Sequence, residues 1–330
     1  MIKIRELSTG DIGPLADFLC TQTGMSQSSM RQRLEWLARN PASIADIPFG
    51  VAAYQSDQMC GAMVYVPVRF SNGNAIRTCV LSILFYVDSS VRGAGVPIFL
   101  AYRMLATRYP LYAATANQSS ARLWANFGAR AIAGSDFEYV RVCHALPILA
   151  ELIFRNFSRR QKLGDSADTQ LSPPNQMASQ MLVPITDPEA ALRTIVPSET
   201  GSYGLFRDPQ MVRWKIYERG QTLYVYRTDH SDCLCLFQCS RRGSRFQIAA
   251  VDILEVWGRL DPRDSSNFIS CIQRVFSADL IGFRGASPLS KLDALTRRFR
   301  RRRFPCPAVW LLDPDNLLEN RFEYSALAGE

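Results

Sequence analysis

Two short segments carry residue types at spacings suited to chemistry. The first is Val87-Asp88-Ser89-Ser90-Val91-Arg92-Gly93-Ala94-Gly95-Val96-Pro97, where an alternating strand pattern stops and a period of about 3.6 begins. Glycines at 93 and 95 allow a tight turn and let a ligand approach the backbone without a Cβ in the way. The amides from Arg92 to Val96, with a helix dipole behind them, form a cradle for a pyrophosphate. Pro97 suits the first helical turn, where its missing N–H has no acceptor to lose. Taken alone, Gly-x-Gly after a strand is equally compatible with a turn that binds nothing.

The second segment is "NQSSARLWANFGA", residues 117–129. Asn117 ends an apolar strand, where its side chain either orients a ligand's amide groups or simply caps the following helix. Ala121, Leu123, Trp124 and Phe127 are spaced to pack that helix on a sheet and border a narrow cleft. On the strand that leads into the glycine turn, Phe85 and Val87 are the candidate apolar wall and Ser82 and Tyr86 the candidate polar groups. That strand has no carboxylate between Arg77 and Asp88. Glu138 and Asp136, further along, are the candidate bases acting through water, and Glu35 and Asp46 could reach in from the substrate side.

The elements that must position these residues follow from periodicity. Ile2 and Ile4 alternate with charged residues as on a strand, and Ser8 and Thr9 cap a helix with Leu15, Phe18 and Leu19 on one face. A second helix ends at Asn40-Pro41. Three strands follow, with turns at Ser56-Asp57 and Asn72-Gly73. "LYAATAN" is apolar enough for a buried parallel strand. Gly128 stops the helix after Asn117, and "DFEYVRVC" is a last alternating strand. This is an α/β layout completed by residue 143. A connecting helix and a polar, Ser/Asp/Gln/Pro-rich linker span 144–180. The elements of 181–330 repeat the order with little identity, as two copies of one fold in tandem would.

In this order and spacing, the two segments resemble the GNAT superfamily of acyl-CoA-dependent acyltransferases. Its first signature, Arg/Gln-x-x-Gly-x-Gly/Ala, is matched from Arg92 to Val96 and departs at Pro97. Its second, Asn-x-x-(x)-Ala-x-x-Leu-Tyr-x-x-x-Gly-Phe, is followed by Asn117 to Ala129. The resemblance covers residues 2–143. It implies a splayed mixed sheet in each domain, with helices flanking it. It further implies a pantetheine arm between the fourth and fifth strands and a pyrophosphate on the Arg92–Val96 turn. Phe85, Val87, Arg92, Gly93, Ala94, Gly95, Val96, Asn117, Ala121 and Trp124 are then the donor-site residues. Tyr86, Ser82 and Glu138 are the catalytic candidates, and acetyl-CoA or another acyl-CoA is the co-substrate. Trp124 stands where many members carry a tyrosine acid, and an indole N–H has no proton to give at neutral pH.

In the second half "GRLDPRDSSN" lacks the paired glycines and places Asp261 and Asp264 where phosphates would be repelled, so one donor site is expected. "YGLFRDPQMVRWKIYE", with Arg207, Asp208, Trp214 and Lys215, resembles a stretch of tandem-GNAT proteins linked to bacterial polysaccharide and cell-envelope biosynthesis. The same residues also suit an amphipathic helix start with a buried Trp. The resemblance points to an amine acceptor of the amino-sugar, nucleotide-sugar or amino-acid type. An acyl carrier protein is the alternative donor, and a non-catalytic tandem scaffold the alternative function.

Composition trims the remaining classes. The chain has 330 residues, 47% of them hydrophobic, and a net charge of +8. Only Lys3, Lys162, Lys215 and Lys291 are lysines. Arginine usage of this kind, without a basic tail, is weak support for nucleic-acid binding. The run Arg297–Arg303 is expected to end a helix, where cations favour the dipole. An acidic carrier protein, a nucleotide-sugar phosphate or an anionic membrane are its functional alternatives. Two histidines, His144 and His230, and the Cys233/Cys235/Cys239 spacing do not make a zinc site. Nine cysteines read as free thiols in a reducing cytoplasm. The apolar stretch "ALPILAELIF" is about half of what spans a bilayer.

Overall fold

The computed structural model of the chain describes residues 2–71, 75–114, 116–158, 169–170, 181–185, 187, 204–205, 209–217, 221–243, 246–285, 289 and 292–313. The expected Asn72-Gly73 turn, nearly all of the polar linker, and Arg207 and Asp208 lie outside the described residues.

The first sheet contains β1 (Ile2–Leu7), β2 (Gly50–Gln55), β3 (Gln58–Ser71), β4 (Ile76–Val87), β5 (Leu111–Ala113) and β6 (Arg130–Ala131). Ser56 and Asp57 both have positive φ, 49° and 61°, as a two-residue hairpin between β2 and β3 requires. The helices α1 (Ile12–Thr23) and α2 (Gln27–Ala38) cover one face, and α3 (Gly95–Met104) and α4 (Gln118–Asn126) the other. Ser8 and Asp11 form a reciprocal capping box before α1. Leu15, Phe18 and Leu19 are buried as their spacing predicts.

After β7 (Phe137–Val142) and α5 (Ala145–Ser158), the chain contributes β8 (Thr169–Gln170), β9 (Leu182–Ile185) and β10 (Gly204–Leu205). A short α6 (Pro209–Val212) runs into a π-helical turn over Arg213–Tyr217. Then come β11 (Leu223–Arg227), β12 (Asp232–Arg242), β13 (Ile248–Arg259), α7 (Ser265–Phe276), β14 (Leu280–Arg284), α8 (Asp293–Thr296), β15 (Arg300–Arg303) and β16 (Trp310–Leu312).

The two sheets repeat one plan. Their orders are β1-β2-β3-β4-β5-β16-β6 and β9-β11-β12-β13-β14-β7-β15, with β10 and β8 as short additions. Each has a single parallel pair, β4 with β5 and β13 with β14. Each carries a bulge in the strand that precedes the parallel partner, at Leu84–Phe85 and at Leu254. The structure is two mixed sheets with flanking helices, an α/β architecture in tandem.

The sheets do not part where the sequence pattern does. Strand β7, expected to finish the first half at residue 143, pairs with β14 and β15 in the second sheet. Strand β16, from the far end of the chain, fills the equivalent place between β5 and β6. The two halves thus exchange β7 and β16, and the short β10 of the second half also pairs with β3. The crossing segments run side by side: Phe304 N–H donates to Asp136 O (2.6 Å), Ala308 N–H to Ser135 O (3.1 Å) and Ile132 N–H to Val309 O (3.0 Å). Periodicity reports that a strand exists but not which sheet takes it, because any edge with matching hydrogen-bond groups will pair.

A second correction concerns the arginine run. Among the described residues α8 stops at Thr296, and Arg300–Arg303 form an edge strand against β7 rather than a helix end. Charged side chains on an edge block further strand addition. Arg302 and Arg303 pair with Glu138 and Asp136, and the Arg301 guanidinium lies 3.7 Å from the Phe137 ring centroid.

Between the sheets lies a shared core built from α1, α2, the inward residues of both sheets, and Trp214. Trp36 and Trp214 stack at 4.6 Å with an 11° interplanar angle. Each indole N–H donates to the other's backbone carbonyl, at 2.9 and 2.8 Å. Trp214 is therefore a buried core residue; the Lys215 side chain lies outside the described residues.

Candidate functional site

Strands β4 and β5 stay together for three rungs, Val80–Leu111, Leu81–Tyr112 and Ser82–Ala113. Beyond Ser82, β4 continues to Val87 while β5 stops at Ala113, so the two walls part. The cause lies in the bulge. Val64 faces Ile83 and Ala62 faces Tyr86, which leaves Met63 opposite both Leu84 and Phe85. Leu84 is held at φ 50°, a conformation rare for a branched side chain. A bulge bends its strand and leaves backbone groups outside the ladder.

The bulge also re-aims side chains. Cys79 and Leu81 face the shared core and Val80 faces α3; then Ile83 and Leu84 both join the core side, so Phe85 and Val87 turn toward α3 and Tyr86 toward the opposite side. Phe85 and Val87 meet Gly95: a Cβ placed on Gly95 would lie 3.7 Å from Phe85 Cζ and 3.6 Å from Val87 Cγ2. Ser82, almost fully buried, sits at the last paired rung.

The turn after β4 is two short 3₁₀ turns over Ser89–Ala94 that kink at Val91 (φ −127°, ψ 51°) and feed α3 at Gly95. Asp88 caps it, accepting from Ser90 N–H (2.8 Å) and Ser90 Oγ (2.7 Å); these bonds hold its carboxyl below the usual range. Neither glycine is demanded by the fold. Gly93 and Gly95 have no positive φ, a Cβ on Gly93 meets nothing, and one on Gly95 makes only ordinary contacts. The tight-turn reason for glycine therefore falls away. At Gly93 the missing Cβ leaves open backbone just before a helix start, the arrangement anion binding needs, while Gly95 is buried beneath it against Phe85 and Val87. Val96 is exposed beside it. The side chains of Arg92 and Ala94 lie outside the described residues.

On the facing wall, Asn117 is the N-cap of α4; its Oδ1 accepts from Ser119 N–H (3.0 Å) and Ser120 N–H (2.9 Å). Ala121 and Trp124 are on the buried face of α4. Trp124 meets Phe99 edge-on at 5.1 Å and Tyr102 at 5.7 Å, so it locks α4 to α3 and is packed away from solvent. The crossing segment completes this wall, which sequence reasoning missed entirely. Ala116 N–H donates to Ala308 O (2.9 Å), and Cys306 Sγ lies 3.8 Å from Ala116 O.

Glu138 does not join the site. It belongs to the second sheet, between Arg284 and Arg302 in register, and its carboxylate pairs with Arg302 at 3.4 Å. Asp136 pairs with Arg303, Glu35 with Arg31, and Asp46 with Arg108 and the Tyr109 hydroxyl. The structure thus sets Phe85 and Val87 against Gly95 and Ser82 beside Ala113 on the α3 side of the sheet, turns Tyr86 to the opposite face, and leaves Glu138 in the second sheet.

The equivalent turn of the second half is occupied by its own carboxylates. Asp261 accepts from Arg263 N–H (2.9 Å) and pairs with its guanidinium. Asp264, buried at the start of α7, accepts from Thr228 Oγ1 (2.5 Å) and Ser231 Oγ (2.6 Å), which lowers its pKa. With its folded-state pKa depressed, Asp264 stabilises the fold above the ordinary carboxylate range, and that contribution is lost as pH falls through the folded value. Melting temperature measured against pH should fall below about pH 4 in the native chain. The Asp264→Ala variant should melt lower at neutral pH and show a flatter acid limb.

A probable N-acyltransferase from Enterococcus faecalis, described as a conserved protein of unknown function, superposes with a TM-score of 0.58 at 10% identity, over 94% of this chain and 72% of that one. A GCN5-related N-acetyltransferase from Anabaena variabilis gives 0.55 at 15% identity over the same shares. The chain has the GCN5-related N-acetyltransferase fold. A third GNAT structure, from Kribbella flavida, gives 0.51 at 11% identity over 95% of this chain and 71% of that one. No family model and no curated protein matches the sequence. Among the described residues no group of three His, Cys, Asp or Glu could hold a metal, and no helix is long and apolar enough to cross a membrane.

Proposed function

We propose that this GNAT-fold chain is an N-acyltransferase that moves an acyl group, acetyl foremost, from acyl-CoA to an amine of a sugar, nucleotide-sugar or amino-acid-like acceptor in the cytoplasm. The observation that carries the reading is the glycine turn: two missing Cβ atoms that neither backbone nor packing requires, at a helix start beside a splayed strand pair. Acyl-CoA supplies a thioester carbonyl. The amides around Gly93 to Val96 hold pyrophosphate, and Phe85, Val87 and the Ala116–Asn117 wall flank the arm. Amides freed at the Leu84–Phe85 bulge donate to the carbonyl oxygen. Tyr86, on the opposite face, is the hydroxyl facing the acceptor side, and Ser82 lies at the floor. Glu138 leaves the catalytic set because Arg302 holds it in the other sheet. Much of the rate then rests on holding amine and thioester together.

A second reading, a non-catalytic tandem scaffold that binds CoA or a protein, draws on the absence of a carboxylate from Arg77 to Val87 and on the buried Trp124. Thioester turnover against a panel of amines separates the two. Saturable release of free CoA supports the enzyme; tight acetyl-CoA binding by calorimetry without turnover on any amine supports the scaffold. An acyl carrier protein as donor would show salt-sensitive binding that weakens when Arg300–Arg303 are changed to Ser.

A further inference from the structure

Thirteen large hydrophobic side chains stand exposed among the described residues, and four of them share α5: Leu146 (81%), Leu149 (52%), Leu152 (53%) and Ile153 (57%). At 100° per residue these four fall on one side of the helix. The opposite side carries Glu151, which is buried and accepts from Phe246 N–H at 3.0 Å in the hairpin between β12 and β13. The helix is therefore inverted relative to an ordinary surface helix: its acid faces inward and its leucines outward. Val142, which leads into α5, and Phe246, bonded to Glu151, are exposed as well. Six of the thirteen thus gather around one helix. Single exposed hydrophobics are ordinary, but a contiguous patch marks a surface that something covers.

Charge identifies what covers it. Between residues 141 and 163 the sequence has five cations, Arg141, Arg155, Arg159, Arg160 and Lys162, against the single acid Glu151. The neighbouring strand β12 adds Arg241, which donates to Gln247, and Arg242, which pairs with Asp252. A second copy of the chain on a two-fold axis would set these cations against themselves. Hydrocarbon bordered by anionic headgroups matches both features at once. At 14 residues, about 21 Å, α5 is too short to span a bilayer and suited to lying in its surface.

We propose that α5 is an interfacial anchor that docks the protein on anionic lipid bilayers, with Leu146, Leu149, Leu152 and Ile153 entering the acyl boundary. The inference stands apart from the acyltransferase reading and survives its failure. The test is flotation of the full chain with vesicles of phosphatidylcholine alone or mixed with phosphatidylglycerol. Binding is expected on the anionic vesicles, about tenfold weaker on the neutral ones, and reduced by salt. The exposed-site pair Leu149→Glu with Ile153→Glu should lower it by about tenfold or more, with melting temperature and mass in solution unchanged. Leu149→Ala with Ile153→Ala should give a smaller drop in the same direction. No binding to anionic vesicles, or equal binding by the Glu pair, overturns the proposal. So does a concentration-dependent dimer that the Glu pair abolishes in a chain that does not float.

Discussion

Acetyl-CoA binding is expected to collapse in the Gly93→Asp/Gly95→Asp double variant while the fold stays intact. Two like charges about 4 Å apart at an effective dielectric of ~20 repel by about 4 kcal/mol. One such contact with a pyrophosphate would weaken binding by roughly 100-fold or more. A Cβ at Gly93 meets open space, whereas Gly95 is buried and a Cβ there lies 3.7 Å from Phe85 Cζ and 3.6 Å from Val87 Cγ2, so a carboxylate at 95 also costs some stability. Gly93→Asp alone should melt within a few degrees of the native chain and still lose most of the binding. Gly95→Ala is the graded control: unchanged melting and a loss of several-fold in calorimetric affinity. If the double variant binds acetyl-CoA as the native chain does, the donor site is elsewhere and the acyltransferase reading fails.

The second large effect comes from cutting the chain. A fragment of residues 1–143 keeps every motif of the proposed donor site, yet it is expected neither to fold nor to bind acetyl-CoA alone. It lacks β16, whose Trp310, Leu311 and Leu312 are buried with Val309 against the first half. Four such side chains are worth on the order of 6–12 kcal/mol, comparable to the ~5–15 kcal/mol net stability of a whole domain. It also carries β7, an alternating strand left without its partners β14 and β15. Circular dichroism should show no cooperative melt in the fragment, and co-expression with 144–330 should restore one. A fragment that melts cooperatively by itself would show that the exchanged strand is dispensable.

Local rules were legible wherever the residues near in sequence decide the outcome. Ser8 caps the turn that leads into α1, with Asp11 rather than the expected Thr9 as its partner, Ser56-Asp57 turns the first hairpin, Asn117 caps α4, and Gly128 at φ 83° closes it. The glycine turn itself was readable because Arg92 to Pro97 is contiguous. Trp214 had an equal claim to a functional stretch and to a core; its stack on Trp36, 178 positions away, settles the core. The bulge at Leu84 had no sequence signal, since leucine is a poor choice for positive φ and only the pairing with β3 holds it there. That bulge decides that Phe85 rather than Tyr86 faces α3.

By itself, the sequence determined that the chain is α/β, that its elements recur in one order twice, and that a glycine turn precedes α3 in the first half while Asp261 and Asp264 replace it in the second. Those are consequences of periodicity and of residue types within a few positions of each other. The tertiary structure alone decided which sheet owns each strand. It sent Glu138 to the second sheet beside Arg302, brought Cys306 and Ala308 to the wall of the first cleft, and turned the arginine run from a helix end into an edge strand. Backbone hydrogen bonds carry no sequence label. An alternating strand pairs with whichever edge the rest of the fold presents, and only the folded chain specifies that edge.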